Sequence, residues 1–260
     1  MLSKRNFLEH EIPYKQLEQL GISKKSILAA NKDITKIFMT GGFTPLLQMQ
    51  VKGDEQTFSF LGKVRMTREP KGGVTLDILP LRTKTAVDKD LKIDSTEMEH
   101  LRHGMILKKN VYADNKKTTY YAQLDGETNA ILKVKARDVA IPGVVKDVDI
   151  DKQMREKIRE GIPVEIDADG TTYTIGIDLL NPAGFRIIQG NEEDWNAMIA
   201  KEWDRLNPDE IGFWLTDENG WQYQEIAESK IRDLKMDYNT ISEDSITIRL
   251  QKNQSASITL

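Results

Sequence analysis

The chain has 260 residues, of which 39% are hydrophobic and 30% charged, a composition that excludes collagen-like, mucin-like and low-complexity classes of protein. Because the chain contains no cysteine, disulfide scaffolds, thiol catalysis and Cys-ligated metal centres are also excluded. The net charge of −4 is uneven: basic residues outnumber acidic ones by 15 to 9 in residues 1–89, whereas acidic residues outnumber basic ones by 15 to 7 in residues 191–260.

The first segment, residues 1–89, is predicted to be a helical start followed by a three-stranded meander. Apolar residues at helical spacing after Pro13 and after Ser23 indicate short helices that end at glycines. Alternating apolar and polar residues then predict antiparallel strands around 47–51, 58–66 and 74–78. We expect the helices to cover the apolar face of this sheet.

The other face of this meander is predicted to be basic and open to water. Lysine and arginine side chains there could contact a phosphate backbone, with an affinity that falls steeply with salt. Aromatic residues that could stack on bases are not interleaved with them. Residues 1–89 could therefore bind nucleic acid through Lys63, Arg65, Arg68, Lys71, Arg82 and Lys84.

The middle segment, residues 90–190, carries an approximate tandem repeat. Residues 101–107 align with 158–164, Thr118-Thr119-Tyr120 aligns with Thr171-Thr172-Tyr173, and Asp125 falls on Asp178. Each copy is predicted to be a short helix, a glycine stop and a three-stranded meander. The four-residue difference in spacing is assigned to a longer turn in the first hairpin, through Asp114–Lys117, against the tight Asp169-Gly170 turn of the second.

The last segment, residues 191–260, is predicted to be an acidic helix–hairpin module. An amphipathic helix follows the cap at Asn191, and a hairpin turns near Asn219-Gly220. A further helix around 226–234 and a strand at 246–250 complete the prediction. Trp195 and Trp203 are expected in a core, whereas the hairpin offers three large side chains as a candidate protein interface: Trp214, Trp221 and Tyr223.

Short motifs in a fixed order run from about residue 12 to residue 190. They are Thr44-Pro45-Leu46-Leu47, Pro80-Leu81-Arg82, the Asp-x-x-Thr-Asn-x-aliphatic turn at 125–131, Ile141-Pro142 and Arg159-Glu160-Gly161. With these motifs the chain resembles the paired domains of unknown function in proteins of conjugative and mobilisable elements of Bacteroidota. It departs from that family at Leu79, where the family usually has a histidine. The resemblance implies a mobile-element context and no assigned reaction.

A metal site is considered at His100 and His103, which lie three residues apart with Glu97 one turn earlier. The repeat argues against it, because these histidines align with Lys157 and Glu160. We therefore predict a solvated helix face, with no metal and no cofactor.

The sequence as a whole predicts an α+β protein of short helices packed on antiparallel three-stranded meanders. No catalytic motif stands out, so the leading hypothesis is a non-enzymatic protein-interaction or adaptor module with a protein partner. The alternatives are an accessory nucleic-acid-binding protein and an enzyme built from carboxylates that are distant in sequence. No apolar run approaches the ~20 residues of a membrane span, and no signal-peptide core is present. We expect a cytoplasmic location and no membrane partner.

Overall fold

The computed structural model describes residues 7–29, 32–52, 57–69, 72–82, 85, 90–113, 115–204, 210–217 and 220–227. Within these residues the α-helices are α1 (Tyr14–Gln19), α2 (Lys24–Ala29), α3 (Lys32–Thr40), α4 (Ser95–Arg102), α5 (Lys152–Arg159) and α6 (Glu192–Asp204). The strands are β1 (Leu47–Lys52), β2 (Thr57–Arg68), β3 (Val74–Pro80), β4 (Leu107–Ala113), β5 (Lys116–Asp125), β6 (Ala130–Lys135), β7 (Val144–Val145), β8 (Val148–Asp149), β9 (Val164–Ala168), β10 (Thr171–Ile177), β11 (Phe185–Gln189), β12 (Glu210–Asp217) and β13 (Gly220–Ala227). The α+β class is confirmed.

The chain divides into two compact units. The described residues of 7–82 and 210–227 form one, here called the sheet unit, and those of 85–204 form the other, called the repeat unit. This division differs from the three segments that the sequence predicts, because residues 191–260 contribute to both units. The predicted strand at 246–250 and most of the predicted helix at 226–234 lie outside the described residues, and Ile226 itself belongs to β13.

The sheet unit is built on a five-stranded sheet in the order β13-β12-β1-β2-β3. Helices α1 to α3 supply Leu17, Ile27 and Phe38 to the core on one face of this sheet, where Met49 and Val64 are fully buried. The hairpin β12–β13 joins this sheet through a parallel pairing of β12 with β1. A hairpin distant in sequence therefore extends the meander that residues 1–89 were predicted to form.

The repeat unit contains two copies of one arrangement, as the sequence predicts. Helix α4 precedes the antiparallel sheet β4-β5-β6, and helix α5 precedes the antiparallel sheet β9-β10-β11. Asp94 and Asp151 cap the two helices, each accepting a hydrogen bond from a backbone N–H three residues later. Each helix then ends at a glycine with positive φ, Gly104 at 74° and Gly161 at 87°.

The longer spacing of the first copy has a different origin from the one predicted. Both hairpins turn through two residues, since Ala113 pairs with Lys116 and Ala168 pairs with Thr171. The first hairpin instead has two more paired residues on each strand, so Lys116 and Lys117 belong to β5. The extra residues of the first copy therefore lengthen its two strands and not the connection between them.

Hydrogen bonds and an ion pair join the described residues of the two copies. Tyr121 Oη donates to Arg159 O at 2.7 Å, Gln123 Oε1 accepts from Leu179 N at 2.6 Å, and Lys108 Nζ lies 2.6 Å from Glu160 Oε1. Burial raises the pKa of Tyr121 to about 12, so its hydroxyl remains a donor over the physiological pH range. The two copies thus form one unit, as expected for repeats too small to bury a core alone.

Helix α6 packs on both copies through positions that lack a side chain. A Cβ at Gly104 would lie 2.6 Å from Ile199 Cγ2, and one at Gly176 would lie 2.7 Å from Trp195 Cζ2. Trp195 is buried here, as the sequence predicts, while the side chain of Trp203 lies outside the described residues. These close approaches explain why α6 belongs to the repeat unit and not to a separate C-terminal module.

Candidate functional site

A groove of about 620 Å³ opens in the repeat unit between α6 and the turns that follow α4 and α5. The two turns occupy equivalent places in the tandem repeat, so the duplication itself forms two of the walls. Each turn presents an exposed apolar residue after its glycine: Met105 is 42% exposed and Ile162 is 49% exposed. Exposed apolar side chains that share a concave surface are typical of interaction sites.

The floor and third wall of the groove are also apolar. Ile177 comes from β10, and Trp195 and Ile199 come from successive turns of α6. Because Trp195 lies on Gly176 and Ile199 lies on Gly104, their positions are set by tight packing. The groove is therefore formed by closely packed elements, and Met105 and Ile162 at its edge are exposed.

The rim of the groove is polar. His100 and His103 lie at one turn, Glu160 at the other and Glu192 at the start of α6. His103 Nε2 lies 3.3 Å from Glu99 Oε1. Within the described residues, no group of three or more His, Asp or Glu side chains could hold a metal ion.

A smaller cavity of about 70 Å³ shares four lining residues with the groove: Gly104, Ile177, Trp195 and Ile199. Its polar lining includes the buried carboxylates of Asp125 and Asp178, together with Gln123 and Arg186. The repeat alignment had paired the two aspartates, and the structure brings both of them to this one cavity.

Each of these carboxylates stabilises local structure. Asp178 accepts from Arg186 Nε at 2.7 Å and from Leu180 N at 3.0 Å. Asp125 accepts from Thr128 Oγ1 at 2.8 Å and from Glu127 N at 3.3 Å. Both aspartates thus hold the turn that follows the second strand of their repeat, a role that explains why the duplication keeps them.

The predicted basic face of the sheet unit is not open to water at its centre. Lys63 and Arg65 lie on the face opposite the helices, but they are only 8% and 7% exposed. Arg65 Nε donates a hydrogen bond to Asp77 Oδ2 at 2.8 Å. The ring of Phe43 stacks on the Arg65 guanidinium, with 4.2 Å between the ring centroid and Cζ. The loop before β1 covers this arginine, a packing that strand alternation could not reveal.

Of the remaining basic candidates, the structure describes Arg68 and Arg82. Arg68 binds Glu11 at 2.9 Å and lies over the ring of Phe7. The hydrogen bond from Arg68 lowers the pKa of Glu11 to about 2, so this ion pair persists at neutral pH. Arg82 is half-buried, and Lys71 and Lys84 lie outside the described residues.

The aromatic candidates on the hairpin are mainly core residues. Trp214 and Trp221 are half-buried and pack against the helix-covered core, and Trp221 Nε1 donates to Ser26 O at 2.9 Å. Trp214 meets Tyr223 edge to face with ring centroids 5.4 Å apart. Of these three side chains Tyr223 is the exposed one, at 52%.

The exposed apolar residues of the groove were missed as site residues at the sequence level. A usable signal existed, because an apolar residue follows the helix-ending glycine in both copies, as Met105 and Ile162. An apolar residue at that place usually packs back on its own helix. Only the structure shows that both remain exposed and line the same groove.

Comparison with known proteins shows that part of the chain is similar to a protein family. A family model described as "Protein of unknown function (DUF4099)" matches residues 7–90. These residues are similar to that family. The match covers α1 to α3 and β1 to β3, so the groove lies outside it. No curated protein and no solved structure matches the chain. In the described part of the chain, none of the helices has both the length and the apolar character to cross a bilayer.

Proposed function

We propose that the protein is a non-enzymatic interaction module in which the groove of the repeat unit holds a segment of a partner protein. The observation that carries this proposal is the pair of equivalent, exposed apolar residues Met105 and Ile162 in one groove. An apolar concavity with a polar rim is the usual form of a site that takes a few side chains of a partner.

A copurification experiment with matched variants tests the proposal. The full chain is used as bait in its wild-type form, as the double variant Met105→Asp/Ile162→Asp, and as Val144→Asp. Val144 is a suitable control because it is 54% exposed and lies in β7, away from the groove. Circular dichroism and one-dimensional NMR verify that all three proteins are folded.

We expect one protein, identified by mass spectrometry, to be retained by the wild type and by Val144→Asp after nuclease treatment. The double variant should lose it, because a carboxylate in an apolar contact is costly to bury. Retention by the double variant would overturn the proposal for the groove. Loss of the partner on nuclease treatment would instead favour tethering through nucleic acid.

We further propose that the module serves a conjugative or mobilisable element in the cytoplasm. This context is supported by the resemblance of residues 12–190 to domains from such elements. Deletion of the chain from an element should lower its transfer frequency, and the double variant should reproduce that loss when the variant protein accumulates normally. Unchanged transfer after deletion would contradict this context.

A further inference from the structure

The charges around the groove define the chemistry of its occupant. We infer that the partner segment combines an apolar anchor with a lysine or arginine. This inference rests on the proposed function, because it names the kind of segment that the groove would hold.

Apart from His100 and His103, the ionisable side chains that line the groove are acidic. None of the described residues that line the groove is Lys or Arg, whereas Glu160 and Glu192 both line it. Glu192 begins α6 together with Glu193 and Asp194, and its backbone N–H donates to the carboxylate of Glu165 at 2.7 Å. Several carboxylates thus surround the start of this helix.

Lys108 pairs with one of the two glutamates that line the groove. Lys108 Nζ lies 2.6 Å from Glu160 Oε1, but the side chain of Glu160 remains 61% exposed. A cation from a partner can therefore still approach Glu160 and Glu192 from the solvent side. Exposed ion pairs of this kind contribute modestly to affinity and more strongly to the choice of partner.

The apolar part of the occupant follows from the walls. Met105, Ile162 and Pro163 line the two turns, and Ile199 lines α6. A groove of about 620 Å³ is in the size range of pockets for small ligands, so it takes a few side chains and not a whole domain. An extended or helical segment with one or two leucine-like anchors fits these limits.

Methyl NMR on the full chain tests the inference with defined probes. The probes are two synthetic amphipathic peptides with the same leucine positions, one carrying lysines and the other glutamates. We expect the Leu/Lys peptide to shift the methyl signals of Met105, Ile162 and Ile199. The methyl signal of Ile187, which is exposed on β11 outside the groove, serves as the internal control.

Variants separate the apolar and ionic contributions. Ile162→Ser should weaken binding of the Leu/Lys peptide about tenfold, as expected for an interface anchor, and Val144→Ser should leave it unchanged. Glu192→Gln should weaken the same peptide about two- to fivefold, the range for an exposed ion pair. That loss should disappear at high salt.

The outcomes distinguish this inference from the proposed function. Equal or tighter binding of the Leu/Glu peptide in the groove would overturn the charge preference and leave the groove as a peptide site. Absence of any groove shift with the Leu/Lys peptide would overturn the inference, and the copurification experiment would then decide whether the groove binds a partner at all. Self-association of the chain that Ile162→Ser abolishes would assign the groove to a second copy and also overturn it.

Discussion

The two copies of the tandem repeat share their helix caps, glycine stops and turn-holding aspartates, yet they differ where they meet other parts of the repeat unit. Position 123 of the first copy is a glutamine that reaches the backbone of Leu179, whereas the equivalent position 176 is a glycine that admits Trp195. Gly104 lies against Ile199, while its equivalent Gly161 lies against Ile106.

This difference shows how a duplicated unit acquires a site. The shared residues make contacts within their own copy, and the differing residues determine what packs on each copy. The groove forms where both kinds meet, because the duplicated turns supply two walls and the unequal glycine contacts position α6 as the third. Substitutions at equivalent positions should therefore have unequal effects.

The largest inequality is expected at the helix-ending glycines. Gly104→Ala should destabilise the repeat unit by about 3 kcal/mol, because it combines the strain of a positive φ with a clash against a branched side chain of α6. Gly161→Ala should cost about 1 kcal/mol, since its Cβ would lie 3.5 Å from Ile106 O in ordinary contact. Hydrogen exchange of repeat-unit amides in increasing urea measures both. If Gly104→Ala and Gly161→Ala cost the same, α6 must move away from the added methyl group without loss of stability.

The paired aspartates provide the second comparison. Asp178→Ala should cost about 3 kcal/mol, because it removes the carboxylate that binds a partly buried guanidinium, Arg186. Asp125→Ala removes the carboxylate that accepts hydrogen bonds from the Thr128 hydroxyl and the Glu127 N–H. It should lower the free energy of unfolding by about 1.5 kcal/mol. The same exchange experiment reports both values, and a reversed order would contradict the assigned partners.

The glycine that receives Trp195 is the third test. Gly176→Ala should cost about 2 kcal/mol through overpacking, since its φ is not positive and the added methyl group alone meets the indole. A second change, Trp195→Phe, removes the ring atoms in conflict. The double variant should therefore be more stable than the sum of the single effects implies, and strict additivity would argue against the contact.

The smallest effects are expected where the copies differ least. Asp94→Ala and Asp151→Ala each remove a helix cap and should cost about 1 kcal/mol. Asp94→Ala should cost slightly more, because Asp94 also belongs to a capping box with Glu97. Amide exchange within α4 and α5 gives the two values separately. A cost near zero at either site would show that the helix end is held by packing alone.

Most of the local structure could be predicted from the sequence. Strand alternation located β1, β2 and β3, and aligned segments revealed the tandem repeat with its helix-ending glycines. These features depend on backbone conformation and on which side of an element is apolar, and both are properties of neighbouring residues. The error in the first hairpin was small for the same reason, because it concerned only where two strands end.

The candidate site was less accessible to prediction. The buried state of Arg65 depends on the loop that contains Phe43, and the exposed state of Met105 and Ile162 depends on which neighbouring elements cover them. Periodicity assigns a residue to one face of an element, but it does not show whether another element covers that face.

The pattern of residues along the chain predicts the α+β class, the order of most helices and strands, and the duplication within residues 90–190. The folded structure was needed to show that β12 pairs with β1, that α6 packs on the repeats, and that two equivalent turns enclose a groove. Strand pairing cannot be predicted from the backbone, because its hydrogen-bonding groups are the same at every residue. Partners distant in the chain are chosen by the fit of surfaces, such as the spaces left by Gly104 and Gly176, which exist only after folding.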